Sequence, residues 1–125
     1  MVTVTVLIPA YNECQTIIPI LETVKRQKID GFELQILVVD DGSTDGTGSL
    51  LAARPELYEK LITRSRNGGK GAAVISGLEE ATGDYVLFQD ADLEYDPDEY
   101  VDLFAPISRF GADLVIGTRF GAVKL

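Results

Sequence analysis

Apolar and polar positions along this chain follow two rhythms. Five short runs, "VTVTVLI" (Val2 to Ile8), "FELQILVV" (Phe32 to Val39), "KLITR" (Lys60 to Arg64), "DYVLFQ" (Asp84 to Gln89) and "ADLVIG" (Ala112 to Gly117), have the composition of strands. Between them, Ile17, Leu21 and Val24, then Val74, Ile75 and Leu78, then Tyr100, Leu103, Phe104 and Ile107 recur at three- and four-residue spacing, as one buried helix face does. The alternation predicts an α/β fold in three layers, α/β/α, with helices on both faces of a mostly parallel sheet. The unbroken runs "ILVV" and "YVLF" suit strands covered on both sides. Asn12, the glycines from Gly69 to Gly71, and Asp96-Pro97 mark helix starts.

In an open sheet of this kind ligands bind at the carboxyl ends of the strands. Each run here ends in a polar or glycine-rich piece: "PAYNE", "DDGSTDGT", "RNGGKG", "DADLE" and "GTRF". Together on one rim they predict a single site. Its most unusual part is "VLFQDADLEYDP", where a core strand breaks into acids at every second position: Asp90, Asp92, Glu94 and Asp96. In extended backbone, residues two apart project to the same side, roughly 6 to 7 Å apart, so Asp90 and Asp92 can aim at one point, with Glu94 nearby. Like charges so placed attract a cation, and an all-oxygen set suits Mg²⁺ or Mn²⁺ better than zinc. Asp98, Glu99 and Asp102 read as helix-start acids.

A calcium EF-hand does not fit. Counted from Asp90, the sixth and twelfth places hold Tyr95 and Val101 where Gly and Glu are needed, and counted from Asp41 the twelfth is Ala52. A divalent ion held by two or three side chains keeps open coordination sites that diphosphate oxygens fill, and Lys70 and Arg119 are bases on the rim suited to meet them. "NGGKGAAV" is neither a P-loop, lacking Ser or Thr after Lys70, nor GxGxxG, since Val74 stands where Gly would be; it remains a helix start with free backbone amides. Asp41 or Asp40 can accept from a nucleobase or ribose, while Ser43 and Asp45-Gly46 read as turn and cap residues. Tyr11 offers a flat face for a base and Glu13 an acceptor, or both order the first helical turn.

Length and composition narrow the class. The 125 residues fit one domain, 1–125, with 46% hydrophobic and 25% charged residues, no internal repeat and no low-complexity tract. The net charge of −9 argues against nucleic acid as a partner. Eight of the twenty acids fall between Asp84 and Asp102, with no base among them, so that cluster needs an explanation of its own. With no histidine, Ser-His and Cys-His nucleophile arrangements are excluded. The single cysteine, Cys14, has no internal disulfide partner. No apolar stretch approaches a membrane span and the first residues lack a signal-peptide pattern, so a cytoplasmic location is expected.

Taken in order, "LIPAYNE", "VVDDGSTDGT", "RNGGKGAAVISGLEEATGDYVLFQDADLEYDP" and "DLVIGTRF" resemble the glycosyltransferase family 2 enzymes of GT-A fold, especially polyprenyl-phosphate sugar synthases of the dolichol-phosphate mannose synthase type. The resemblance runs from about Val4 to Phe120. It implies that Pro9, Tyr11, Glu13, Val39 and Asp41 surround the nucleoside of a GDP-mannose or UDP-glucose type donor. Asp90, Asp92 and Glu94 would hold Mg²⁺ or Mn²⁺ against the diphosphate, Ala91 would touch the ribose side, and Arg119 would contact the diphosphate. Inverting transfer is implied, with a polyprenyl phosphate at a membrane surface as acceptor. The family's catalytic domains continue past "GTRF", which makes this chain resemble the donor half of a longer enzyme. A nucleotidyltransferase and a non-catalytic nucleotide-binding module are the competing classes.

Overall fold

The computed structural model describes residues 1–91, 100, 104, 114–116 and 121–124, the last seven as backbone. In chain order they form β1 (Val2–Ala10), α1 (Ile17–Lys25), β2 (Phe32–Asp41), α2 (Thr47–Ala53), a single 3₁₀ turn (Pro55–Leu57), β3 (Lys60–Arg64), α3 (Lys70–Glu80), β4 (Tyr85–Phe88), β5 (Leu114–Ile116) and β6 (Gly121–Lys124). Tyr100 and Phe104 also have helical backbone.

The strands lie in the order β3-β2-β1-β4-β6-β5. The first four are parallel; β6 runs antiparallel to both β4 and β5. β1 is central, with Val6 level with Ile36 of β2 and Leu87 of β4. Its alternate residues face opposite layers. Val4, Val6 and Ile8 join Ile36, Val38 and Leu87 beneath α1, α2, Tyr100 and Phe104. Leu7 joins Leu37, Val39 and Val86 beneath α3. The expected three layers are therefore present, and the parallel sheet supports the GT-A-like fold.

α1 buries Ile17, Ile20, Leu21 and Val24, containing the three positions that the sequence pattern singles out. Pro19 is harmless there because amides in the first turn of a helix have no intrahelical acceptor. The helix starts later than expected: Asn12 does not cap it but adopts a left-handed φ of 53°, and Thr16 stands at the N-cap.

α3 begins where expected, with Gly69 at its N-cap, yet it turns a different face to the sheet. Ala73 and Gly77 are buried, whereas Ile75 and Leu78 are 60% and 38% exposed. Small residues win because the helix sits close to β1: a Cβ on Gly77 would lie 2.5 Å from Leu7 Cδ1. Apolar spacing marks a stripe of side chains, but here close approach of two backbones decides the packing.

β1 and β2 extend beyond the predicted ends, to Ala10 and Asp41, and β6 has no counterpart among the predicted strands. The expectations for Leu103, Ile107 and the Asp96-Pro97 start lie outside the described residues.

Candidate functional site

At the carboxyl ends of β1, β2 and β4, where α3 begins, a pocket of about 460 Å³ opens. Pro9, Tyr11 and Glu13 follow β1, Asp41 ends β2, Asn67, Gly69 and Lys70 come from the turn into α3, and Asp90 and Ala91 follow β4. Seven of the residues expected from sequence thus share one cavity: Pro9, Tyr11, Glu13, Asp41, Lys70, Asp90 and Ala91. Val39 is fully buried with Leu7, Leu37 and Ala73 and is not part of the lining. Asp92, Glu94 and Arg119 lie outside the described residues.

Strand parity explains the arrangement. Asp41 continues the Leu37-Val39 face toward α3, while Asp40 turns to α2, where its Oδ1 accepts from the Ser43 amide at 3.1 Å. Asp41 is 2% exposed and receives Arg64 Nε at 2.7 Å and the Gly68 and Gly69 amides at 3.1 and 3.0 Å. Arg64 is itself steadied by Ser76 Oγ at 2.7 Å from its Nη1. A carboxylate offers about four acceptor positions, so Asp41 fixes the glycine turn and retains capacity toward the pocket. Asn67 Oδ1 accepts from the Gly69 amide at 2.8 Å, closing the same turn.

Gly42 permits this packing. It has a φ of 73°, and a Cβ there would fall 2.4 Å from the Arg66 carbonyl carbon. Gly42, Arg64 and Asn67 were not among the residues expected from sequence. The one signal was a glycine directly after two acids at a strand end.

The pieces after β1 and β2 are tied together. The Asn12 amide donates to Ser43 Oγ and Asn12 Oδ1 accepts from the Thr44 amide, at 3.0 and 2.8 Å. The Glu13 amide donates to Thr47 Oγ1 and the Cys14 amide to Asp45 Oδ2, at 3.0 and 3.1 Å. Ser43 and Asp45 are therefore turn residues that also hold the neighbouring loop. Hydrogen bonds from Thr47 and Cys14, the Thr47 hydroxyl foremost, lower the Asp45 carboxyl to about 2. Its hydrogen bond with the Cys14 thiol raises that thiol, which disfavours the reactive thiolate. Glu13 Oε2 accepts from Thr16 Oγ1 at 3.0 Å, so Glu13 orders the approach to α1 while it lines the pocket. Tyr11, 42% exposed, lines the pocket.

Asp90 leaves β4 on the α3 side and pairs with Lys70. Its side chain is 24% exposed. Gln89 points the opposite way and is fully buried; Tyr100 donates its hydroxyl to Gln89 Oε1 at 2.6 Å, and Gln89 Nε2 donates to the Asp90 carbonyl at 3.2 Å. Among the described residues no group of three acids, cysteines or histidines converges on one point. Asp90 is the described member of the expected metal trio, and its oxygen chemistry fits a hard divalent cation.

The sequence profile described as glycosyl transferase family 2 matches residues 5–124, nearly the whole chain. The chain belongs to glycosyltransferase family 2. It is similar to a dolichol-phosphate mannosyltransferase of Pyrococcus furiosus, 35% identical over 118 residues, covering 94% of this chain and 33% of that protein. An undecaprenyl-phosphate 4-deoxy-4-formamido-L-arabinose transferase of Proteus mirabilis is 37% identical over 120 residues, 93% of this chain and 36% of its own length. The chain thus spans about a third of the length of these relatives. Among solved structures, a Pyrobaculum calidifontis mannosyltransferase in complex with GDP-Man and Mn²⁺ superposes with a TM-score of 0.78 at 25% identity, over 97% of this chain and 44% of that one. Glucosyl-3-phosphoglycerate synthase of Mycobacterium tuberculosis, with Mn²⁺ and UDP, gives 0.73 at 29%, over 90% of this chain and 42% of the other. Both solved structures therefore share the fold of this chain.

Proposed function

We propose that this domain binds the nucleotide-sugar donor of a metal-dependent, inverting glycosyltransferase whose acceptor is a polyprenyl phosphate at the cytoplasmic face of a membrane. The observation that supports it best is the convergence of Tyr11 and Glu13, the Asp41-held glycine turn and Asp90 on one pocket in a family 2 chain. Relatives described as acting on dolichol and undecaprenyl phosphate support the acceptor class. Structures holding GDP-Man or UDP with Mn²⁺ support the donor class and the cation.

In this reading Pro9, Tyr11 and Glu13 hold the nucleoside, with Asp41 at its edge and Ala91 beside the ribose. Asp90, Asp92 and Glu94 would bind Mg²⁺ or Mn²⁺, which supplies positive charge to the leaving diphosphate. Arg119 and Lys70 would add to that charge where it develops as the anomeric bond stretches. For Lys70 to do so it must exchange its Asp90 partner for the donor. A phosphate acceptor is ionised at neutral pH and needs no general base. Among the described residues no helix is long and apolar enough to cross a membrane.

Calorimetric titration with UDP and GDP, in Mn²⁺ and then in EDTA, tests the proposal. The expected result is metal-dependent binding that prefers one base and that Asp90→Asn weakens by more than about a hundredfold, beyond the usual cost of losing an outer-shell contact. Tight binding of neither nucleotide in Mn²⁺ would refute it.

A further inference from the structure

The carboxylates of a metal site work only if the backbone that bears them is held still, and the residues that do the holding need not touch the ligand. Gln89 stands immediately before Asp90, and Tyr100 lies beyond the acid-rich stretch. Both side chains are fully buried, where a polar group is costly unless it is hydrogen-bonded. They meet each other: the Tyr100 hydroxyl donates to Gln89 Oε1 at 2.6 Å. The Gln89 amide nitrogen in turn donates to the Asp90 carbonyl at 3.2 Å, and the Gln89 backbone amide donates to Leu7 O on the central strand at 3.0 Å.

The other side of the link is equally well anchored. Tyr100 stacks on Phe104 with ring centroids 5.7 Å apart, and Phe104 meets Phe32 of β2 at 4.9 Å. A continuous path therefore runs from half-buried Phe32 at the start of β2 through two aromatic contacts and two hydrogen bonds to the Asp90 carbonyl. An apolar residue would fill the Gln89 position at less desolvation cost, so the polar choice calls for a role beyond packing.

We propose that Gln89 and Tyr100 are positioning residues of the donor site: their buried hydrogen bond fixes the direction in which Asp90 presents its carboxylate to a divalent cation. This rests on the functional reading above, in which Asp90 is a metal ligand.

The test compares wild-type protein with Tyr100→Phe and with the double variant Gln89→Met/Tyr100→Phe. The preferred nucleotide, UDP or GDP, is titrated in EDTA and in Mn²⁺, and Mn²⁺ occupancy is followed by electron paramagnetic resonance. Tyr100→Phe removes one oxygen; the double variant replaces both polar groups, a change that costs little stability when shapes match. In both, the Mn²⁺-dependent gain in affinity is expected to fall about 10- to 100-fold, while binding in EDTA and the far-UV spectrum stay as in wild type. A merely structural role predicts a lower melting temperature with equal losses in EDTA and Mn²⁺, and that result overturns the inference. So does an undiminished Mn²⁺-dependent gain in the double variant. Wild-type protein with no Mn²⁺-dependent gain overturns the functional reading, and this inference with it.

Discussion

At the scale of single residues, two aspartates of the "DDGSTDG" piece show how neighbours assign roles to identical side chains. Asp41 is buried against Arg64 and two backbone amides, so Asp41→Asn would strand a half-buried guanidinium and loosen the glycine turn. We expect it to cost about 2 to 4 kcal/mol, somewhat below a wholly buried pair because Arg64 keeps some water contact, and urea unfolding measures it. Asp45 is exposed and acts through Thr47 and Cys14. Its folded carboxyl, at about 2, lies below its ordinary 3.8. A depressed carboxylate stabilises the fold fully above its unfolded value and loses that contribution as pH falls through the folded one. Between pH 3.8 and 2, therefore, wild type should lose more stability than Asp45→Asn, and urea midpoints across that range check it. The sequence pointed to a turn at Asp45, since Asp-Gly is a local signal. Local chemistry left the choice between Asp40 and Asp41 open, because strand parity alone does not say which face carries the site, and the family resemblance implied Asp41.

At the scale of elements, α3 is the informative case. Its apolar residues suggested a face of Val74, Ile75 and Leu78, but the sheet is met by Ala73 and Gly77. Gly77→Ala should gain up to about 1 kcal/mol in helix propensity and lose roughly 1 to 3 to the clash with Leu7, which is fully buried and cannot swing away. A net loss of stability is expected in the wild-type background, whereas measured against Leu7→Ala alone the same substitution should be neutral or stabilising, because the smaller side chain makes room for the new methyl group. Ile75→Ser, at an exposed position, should change stability by no more than about 0.5 kcal/mol. Thermal melts of Gly77→Ala, Leu7→Ala, their double variant and Ile75→Ser separate this packing from the face suggested by periodicity. α1 shows the opposite outcome: its large apolar residues are the ones that pack, so the pattern read its face correctly.

At the scale of the whole molecule, the site is assembled from the ends of separate strands on a protein of net charge −9. In the proposed function an anionic donor would approach against that field, which salt screens over about 10 Å at 0.1 M. Affinity for free UDP or GDP in EDTA should therefore rise from low to physiological ionic strength, whereas affinity for the Mn²⁺ complex, whose charge is partly neutralised, should change less. Calorimetry at two salt concentrations shows the difference. Parallel crossovers bring the ends of β1, β2 and β4 to one rim, and this is how a strongly acidic chain gathers the Asp41-held amides, Lys70 and Asp90 in one cavity.

The amino-acid sequence by itself determined the kinds and order of most elements, the rim on which the polar pieces fall, and the family, because periodicity, glycine turns and motif spacing are local properties of a chain. Tertiary structure decided which of two adjacent faces α3 buries, that Asp41 is engaged by Arg64, and that Gln89 reaches Tyr100. These outcomes depend on how closely segments distant in the chain approach one another. Side-chain volume, close backbone contact and the need to pair buried polar atoms set that approach, and none of them can be read from one segment alone.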